Sequence, residues 1–135
     1  PDTALARLVD IPIVLQTGPE VIAGSTRMKA GTAQKMAITM LSTAVMVKLG
    51  KVYGNLMVDV HATNKKLRDR AERLTTRISG ATPDAVRSAL RESGHRVKVA
   101  VVMLQKGCTA KQAEKILAAA GGNLREAISH VEARR

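Results

Sequence analysis

Residues 18–35 read GPEVIAGSTRMKAGTAQK, and this stretch decides what kind of fold the sequence specifies. It opens with a Gly-Pro turn and an acidic residue, Glu20. Ser25 and Thr26 follow, and both are residue types that cap the start of a helix by accepting a backbone hydrogen bond. A helix that begins here directs free N–H groups and the positive end of its dipole outward. The stretch therefore predicts a turn, an acidic residue and a capped helix start in close succession.

An apolar run lies immediately upstream, where residues 11–15 read IPIVL. Its β-branched residues predict one short buried strand with Pro12 near its start. A single strand has no ladder partner for its N–H and C=O groups. We therefore expect this strand to belong to a sheet whose other strands lie upstream of Pro1, where the chain begins without an initiator methionine. A trimmed methionine or tag is the alternative explanation of that beginning.

The first long helix is predicted over residues 27–48, with Gly50 as its stop. Its apolar residues cover nearly the whole cylinder, which is typical of a helix that is buried on several sides. A chain of this size can barely surround such a helix, so we expect it to form a subunit interface. The large apolar side chains of this helix include Met36, Met40, Leu41, Val45, Met46 and Val47.

A second long helix is predicted over residues 56–79, after a turn at Gly54-Asn55. Its apolar residues from Val60 to Ile78 alternate by four and three positions, as in a coiled-coil seam, with Asn64 as the one polar position. The Lys and Arg residues that flank this seam are expected to form a solvated face with local ion pairs.

Short capped helices are predicted after Gly80. Thr82-Pro83 opens one, another runs over residues 97–106, and Thr109 with Gln112 forms a capping box for the next. Asn123 with Glu126 opens the last. The last three resemble the ubiquitin-associated-like three-helix module. We thus expect two domains, residues 1–80 and residues 81–135.

The composition restricts the function classes. The formal net charge is +11, which invites a nucleic-acid role, but the basic residues are spread along the chain. Phe and Trp are absent, so the aromatic platforms on which single strands stack are missing. A nucleic-acid partner is therefore a third and weaker alternative, which salt-dependent DNA binding would test.

The single cysteine, Cys108, excludes an internal disulfide and fits a reducing cytoplasm. No apolar run approaches the roughly 20 residues needed to span a bilayer, so no membrane partner is expected. His61, His95, His130 and Cys108 are scattered without the spacing of metal ligands, so no metal is expected.

The residue types of the stretch 18–35 suggest a binding site. Arg27 and Lys29 add positive charge to a helix start, which favours an anion or a polyol. Glu20 lies just beyond a strand end, where ligands of open α/β sheets bind. The structural alternative is that Ser25 and Thr26 only cap the helix, while Arg27 pairs with Glu20.

The same stretch, followed by LSTAVMVKLGKVYGNLMVDVHATNKKL at residues 41–67, resembles N-acetylmuramic acid 6-phosphate etherases. The stretch is shared with the related glucokinase regulatory protein. More distantly it is similar to sugar-isomerase (SIS) domains, which bind phosphosugars. The resemblance implies a dimer built on a five-stranded parallel sheet flanked by helices. For this chain it implies a mainly α fold, the remnant of an α/β SIS domain with one short strand, followed by the ubiquitin-associated-like helical module.

The family implies cleavage of the lactyl ether of N-acetylmuramic acid 6-phosphate to N-acetylglucosamine 6-phosphate and D-lactate. The implied mechanism is elimination followed by water addition, with glutamates as acid and base and without a metal or organic cofactor. Those glutamates and the phosphate loops belong to the N-terminal half of the family. No catalytic residue is therefore expected in this chain, which should be inactive alone. The alternative is a non-catalytic sugar-phosphate-binding regulator of the glucokinase-regulatory type.

The resemblance implies that phosphate binds to upstream loops, whereas the spacing of residue types in the stretch 18–35 predicts a phosphate site at the helix start. We follow the resemblance for phosphate and expect the sugar end to contact residues of the stretch. These substrate-binding candidates are Glu20, Ser25, Thr26, Arg27 and Lys29. Five more residues lie in the segments that resemble the etherases. For the histidine among them, a structural role is the stronger alternative. They are Lys35, Asn55, Asp59, His61 and Asn64.

Overall fold

The computed structural model describes residues 3–129, which form helices and one small antiparallel hairpin. The chain divides into two compact units, which we call unit 1 and unit 2, and the boundary in the sequence lies between Ala44 and Val45. Unit 1 contains helix α1 (Ala4–Leu8), a π-helical turn (Arg27–Gly31) and most of α2 (Thr32–Lys48). Unit 2 contains β1 (Val52–Tyr53), β2 (Leu56–Met57), α3 (Lys65–Ser79), α4 (Pro83–Glu92), α5 (Val97–Lys106), α6 (Ala110–Ala119) and α7 (Leu124–Ser129).

Helix α5 is the centre of unit 2. Its sequence, VKVAVVMLQK, is apolar on nearly every side, and a helix of this kind is stable only when neighbours cover it. Helices α3, α4, α6 and α7 all pack against it. Their covering residues are small or medium-sized, such as Ala71, Ala89 and Ala113, so the helix axes can approach closely.

The short helices of unit 2 begin and end where the sequence predicts. Thr109 and Gln112 form the predicted capping box, in which each side chain accepts a hydrogen bond from the other residue's backbone. Asn123 Oδ1 accepts hydrogen bonds from the next helix start. Gly80 and Gly107 end α3 and α5 with left-handed backbone, which only glycine adopts at little cost.

The predicted second long helix begins later than its pattern indicates. Helix α3 starts at Lys65, because the Asn64 side chain caps it by accepting a hydrogen bond from Leu67 N at 2.9 Å. Asn64 is therefore a cap and not a polar seam position. Residues 56–57 instead pair with residues 52–53 in the hairpin, whose connection is the predicted turn at Gly54-Asn55.

Residues 11–15 do not form the predicted strand in this chain. Their backbone lies outside any helix or ladder, and the strands within residues 3–129 are β1 and β2. Ile11 and Ile13 are 80% and 66% exposed. A strand needs a neighbour for its N–H and C=O groups, and within residues 3–129 no segment forms a ladder with this one.

Helix α2 and the π-helical turn before it reproduce the predicted first long helix. Gly50 follows the helix in left-handed backbone and is buried. The expectation that the helix is buried on several sides is not met within this chain, because none of its residues is buried. Met40, for example, is 63% exposed.

Lys98 joins the hairpin side of unit 2 to its helices. Its ammonium group donates hydrogen bonds to Gly122 O at 2.9 Å and to Gly50 O at 3.2 Å. Asp59 lies 3.9 Å from it and also pairs with Lys51 at 3.2 Å. The Lys98 side chain is only 16% exposed, so its charge is satisfied largely by these oxygens.

The chain is mainly helical, as the sequence predicts. The SIS-domain ancestry, the ubiquitin-associated-like module and the domain boundary at residue 80 stay predictions. No helix within residues 3–129 is long and apolar enough to cross a membrane.

The contacts of Lys98 generate a stability prediction. The Lys98→Met substitution should lower the free energy of unfolding of unit 2 by about 1–3 kcal/mol, because the carbonyl oxygens of Gly50 and Gly122 lose a charged donor. Thermal unfolding followed by circular dichroism measures the change. Lys111→Met, at an exposed position of α6, serves as the matched control. Equal melting temperatures for the two variants would contradict the role given to Lys98.

Candidate functional site

The site is built around Glu20, whose carboxylate caps the start of the helical stretch. Glu20 Oε1 accepts a hydrogen bond from Ala30 N at 3.0 Å. Glu20 Oε2 accepts one from Lys29 N at 3.1 Å, and Oε1 lies 3.3 Å from the same nitrogen. Because these N–H groups lie at the positive end of the helix dipole, a carboxylate is a favourable partner for them.

The helix start is a π-helical turn, in which each hydrogen bond reaches back five residues. Gly31 N donates to Thr26 O at 2.9 Å across this turn. A Cβ atom at Gly31 would lie 3.2 Å from the same oxygen, which is a tight contact. The glycine at this position therefore allows the backbone to close the turn beneath the Glu20 carboxylate.

Lys29 connects the two sides of the loop. Its backbone N–H is bound by Glu20, and its side-chain Nζ donates to Pro19 O at 2.8 Å. The loop is thus closed by hydrogen bonds between residues nine and ten positions apart. This closure holds the carboxylate of Glu20 and the ammonium group of Lys29 on one loop.

Ser25 and Thr26 do not act as the predicted caps. The Thr26 side chain makes no capping hydrogen bond, and within residues 3–129 no hydrogen bond of the Ser25 hydroxyl is found. Ser25 N donates to Ile22 O at 3.0 Å, which places Ser25 at the end of a turn. Glu20 has taken the capping role, so the prediction of a hydroxyl cap is wrong, and the N–H groups of Lys29 and Ala30 at the predicted helix start are bound rather than free.

Arg27 is exposed. The alternative in which Arg27 pairs with Glu20 is not what the structure shows, because the Glu20 oxygens face backbone N–H groups instead. Two hydroxyls, a guanidinium and a carboxylate are therefore presented by one loop. Donors and acceptors in this combination suit the hydroxyl and amide groups of a sugar.

The five residues that only the resemblance had suggested are distributed over both units. Lys35 is exposed on α2 in unit 1. In unit 2, Asn55 lies at the hairpin turn, Asp59 pairs with Lys51, and Asn64 caps α3. His61 is exposed beside a cavity of about 180 Å³ that Asp59 and Lys98 also line.

Among residues 3–129, no three His, Cys, Asp or Glu side chains are grouped so that they could hold a metal ion. His130, one of the residues considered for this role, lies outside the described part of the chain. The expectations of no metal and no cofactor stay predictions.

The backbone groups of the site were not predicted from the sequence. Pro19 O and the N–H groups of Lys29 and Ala30 define the loop closure. The available signal was that an acidic side chain lies within reach of an electropositive helix start.

No protein-family model matches the chain. Curated relatives that carry the name of one enzyme, an etherase, match nearly all of it. A relative named N-acetylmuramic acid 6-phosphate etherase from Deinococcus radiodurans is 55% identical over 133 residues, which are 98% of this chain and 44% of that protein. Relatives of the same name from Mycolicibacterium smegmatis and Bacillus subtilis are 53% and 48% identical over 94% and 96% of the chain.

The resemblance to N-acetylmuramic acid 6-phosphate etherases is therefore confirmed. The chain spans less than half of the length of these relatives, namely 42–44%.

The Glu20 cap generates a prediction about the loop. Glu20→Ala should destabilise the helix start by about 0.5–2 kcal/mol, because two N–H groups lose their acceptor. Amide hydrogen exchange should then become faster at Lys29 and Ala30. Gln34→Ala, an exposed change on α2, is the control and should leave both rates unchanged. Equal exchange in the two variants would remove Glu20 as the cap.

Proposed function

We propose that this chain is the C-terminal part of an N-acetylmuramic acid 6-phosphate etherase, a carbon–oxygen lyase. The enzyme cleaves the lactyl ether of its substrate to give N-acetylglucosamine 6-phosphate and D-lactate. The observation that carries the proposal is the 55% identity to a relative of that name over nearly the whole chain. In this assignment the acid/base glutamates and phosphate loops belong to the part of the polypeptide that the chain does not span.

The part of the site that this chain contributes is a contact to the sugar. Glu20, Ser25, Thr26, Arg27 and Lys29 are its residues, as the resemblance implies. The hydrogen bonds of Glu20 support a polyol ligand over a phosphate, because the carboxylate already takes the two N–H groups that an anion would use. A sugar hydroxyl can still donate to a free lone pair of that carboxylate.

A chimaera tests the proposal. The segment of the Deinococcus radiodurans relative that matches this chain is replaced by this chain, and D-lactate release from N-acetylmuramic acid 6-phosphate is measured. We expect the chimaera to turn over and this chain alone to release no D-lactate. A folded chimaera that binds the sugar phosphate without turnover would favour the regulator instead.

Within that chimaera, Glu20→Gln should lower kcat/KM by roughly tenfold or more, the loss expected when a hydrogen bond to a charged group at a substrate is removed. Gln34→Ala is the control on the neighbouring helix. Unchanged kinetics in Glu20→Gln would remove Glu20 from the binding residues.

We also propose that the chain self-associates through α2, as a dimer or larger assembly. Its apolar residues are exposed along the whole helix, and each large side chain that becomes buried contributes about 1.5–3 kcal/mol. Sedimentation at micromolar concentration should show a dimer or larger species, and Met40→Glu should shift it towards monomer. A monomer that Met40→Glu leaves unchanged would contradict the interface.

A further inference from the structure

Helix α3 of unit 2 carries six Lys or Arg residues and two acidic residues. Four of these cations follow one another at spacings of four, three and four positions, which places them on one face of the helix. All four are exposed, and they extend over about 16 Å of the helix. We call this face the α3 basic surface, and its residues are Lys66, Arg70, Arg73 and Arg77.

The charges of the α3 basic surface are not balanced by other side chains. The sequence predicts local ion pairs for the cations of this helix, yet within residues 3–129 none of these four forms one. Glu72, an acidic residue of α3, is bound instead by Arg87 of α4 at 2.9 Å. Asp69, the other acidic residue of α3, is exposed and unpaired in the described chain. The surface therefore keeps a positive charge that a second molecule can neutralise.

This arrangement is unfavourable for the helix itself. Each cation stands three or four residues from the next, so the four form successive like-charge pairs, and such pairs destabilise a helix. Lys66 also lies in the first turn, at the positive end of the helix dipole, where a cation is unfavourable. A local arrangement that opposes the fold without a compensating contact is expected at a functional surface. The missing compensation is an anionic partner.

The surroundings of the surface indicate the chemistry of that partner. The apolar side chains of α3 are turned to the core, with Ala71 and Leu74 buried. Protein interfaces have an apolar core, and helices that lie on membranes have an apolar face, whereas this surface is charged throughout. Interfaces with nucleic acid are more polar and much more positively charged. Arg, which supplies most of the surface, forms paired hydrogen bonds with phosphate.

A duplex suits this surface better than a single strand. Single strands stack on aromatic side chains, and Tyr53, the one aromatic residue of the chain, lies under the Arg125 guanidinium at 5.3 Å. Duplex DNA presents a phosphate about every 3.4 Å of its axis on each strand, so about five phosphates of one strand accompany a line of 16 Å. Four cations along that line can contact phosphates without reading the bases.

We propose that the α3 basic surface binds the phosphate backbone of duplex nucleic acid without sequence preference. Basic residues that are spread along the sequence are gathered on one face by the helical spacing of α3, so their spread does not argue against such a partner. The proposal is independent of the proposed etherase function, because it uses residues of unit 2 and none of the sugar-contact loop.

Binding of this chain to duplex DNA of random sequence, at a series of salt concentrations, tests the proposal. Each phosphate contact contributes about −0.9 to the slope of the logarithm of the binding constant against the logarithm of the salt concentration. The double variant Arg70→Gln/Arg73→Gln should therefore reduce the magnitude of this slope by about 1.8. It should also weaken binding by roughly tenfold or more at about 0.1 M salt. Fluorescence anisotropy of a labelled duplex measures both quantities.

The double variant Lys111→Gln/Lys115→Gln is the matched control. Both residues are exposed cations four positions apart on α6, and the variant loses the same charge. It should leave the slope unchanged. An equal loss of slope in the two variants would overturn the α3 basic surface, because net charge alone would then explain the binding. Absence of binding at low salt would overturn it as well.

A polyglutamate peptide separates nucleic acid from an acidic protein as the partner. We expect the peptide to bind more weakly than the duplex, since carboxylates on a flexible chain do not reproduce the line of phosphates. Equal affinity for the two would overturn the nucleic-acid partner. Melting curves should show that both double variants are folded, because none of the four replaced side chains forms an ion pair within residues 3–129.

Discussion

The burial of α5 is the constraint on which unit 2 depends. Val97, Val99 and the run from Ala100 to Met103 leave hardly any face of this helix suited to water. Four helices must therefore surround it, and the caps and glycine turns place each one at the required position. Lys98 lies on the same helix, so the element that organises the apolar core also holds the carbonyl oxygens of Gly50 and Gly122. One helix thus links the packing of the bundle to the backbone at Gly50 and Gly122.

In the described part of unit 1, the apolar residues have no buried central helix comparable to α5. Helix α2 has apolar side chains comparable to those of α5, yet none of its residues is buried. The difference does not lie in the helices themselves but in their neighbours, because the described part of unit 1 offers only α1, the π-helical turn and extended chain. A long helix of this kind gains its stability from packing more than from propensity. The exposed apolar faces of unit 1 therefore lack within this chain the packing that stabilises α5.

The elements that the sequence predicts well are those defined by local chemistry. Thr109 with Gln112, and the glycines at 80 and 107, determine helix ends through groups a few residues away, and the structure agrees. The hairpin was missed because two-residue strands carry no periodic signal and their residues extend the apolar pattern of α3. The strand at residues 11–15 was predicted from its own composition, but a strand exists only with a neighbour.

Within the candidate site, the sequence predicted a capped helix start but assigned the cap to the wrong residues. Ser25 and Thr26 have high capping preference, but Glu20 reaches the N–H groups from nine and ten residues away. Such contacts depend on how the loop closes, which local propensity does not contain. A full negative charge at the positive end of a helix is also a stronger partner than a hydroxyl.

The Glu20 cap also bears on how the loop can meet a phosphosugar. With the carboxylate on Lys29 N and Ala30 N, a phosphate at the same place would face a like charge and lack its donors. This helix start is therefore a less favourable position for a phosphate than the loops that the resemblance implies. If the proposed sugar contact is made here, a neutral, hydroxyl-rich part of the ligand suits this geometry better than a phosphate. Thr26 and Arg27 are exposed and Ser25 is partly exposed, whereas the cap itself is made by the Glu20 carboxylate.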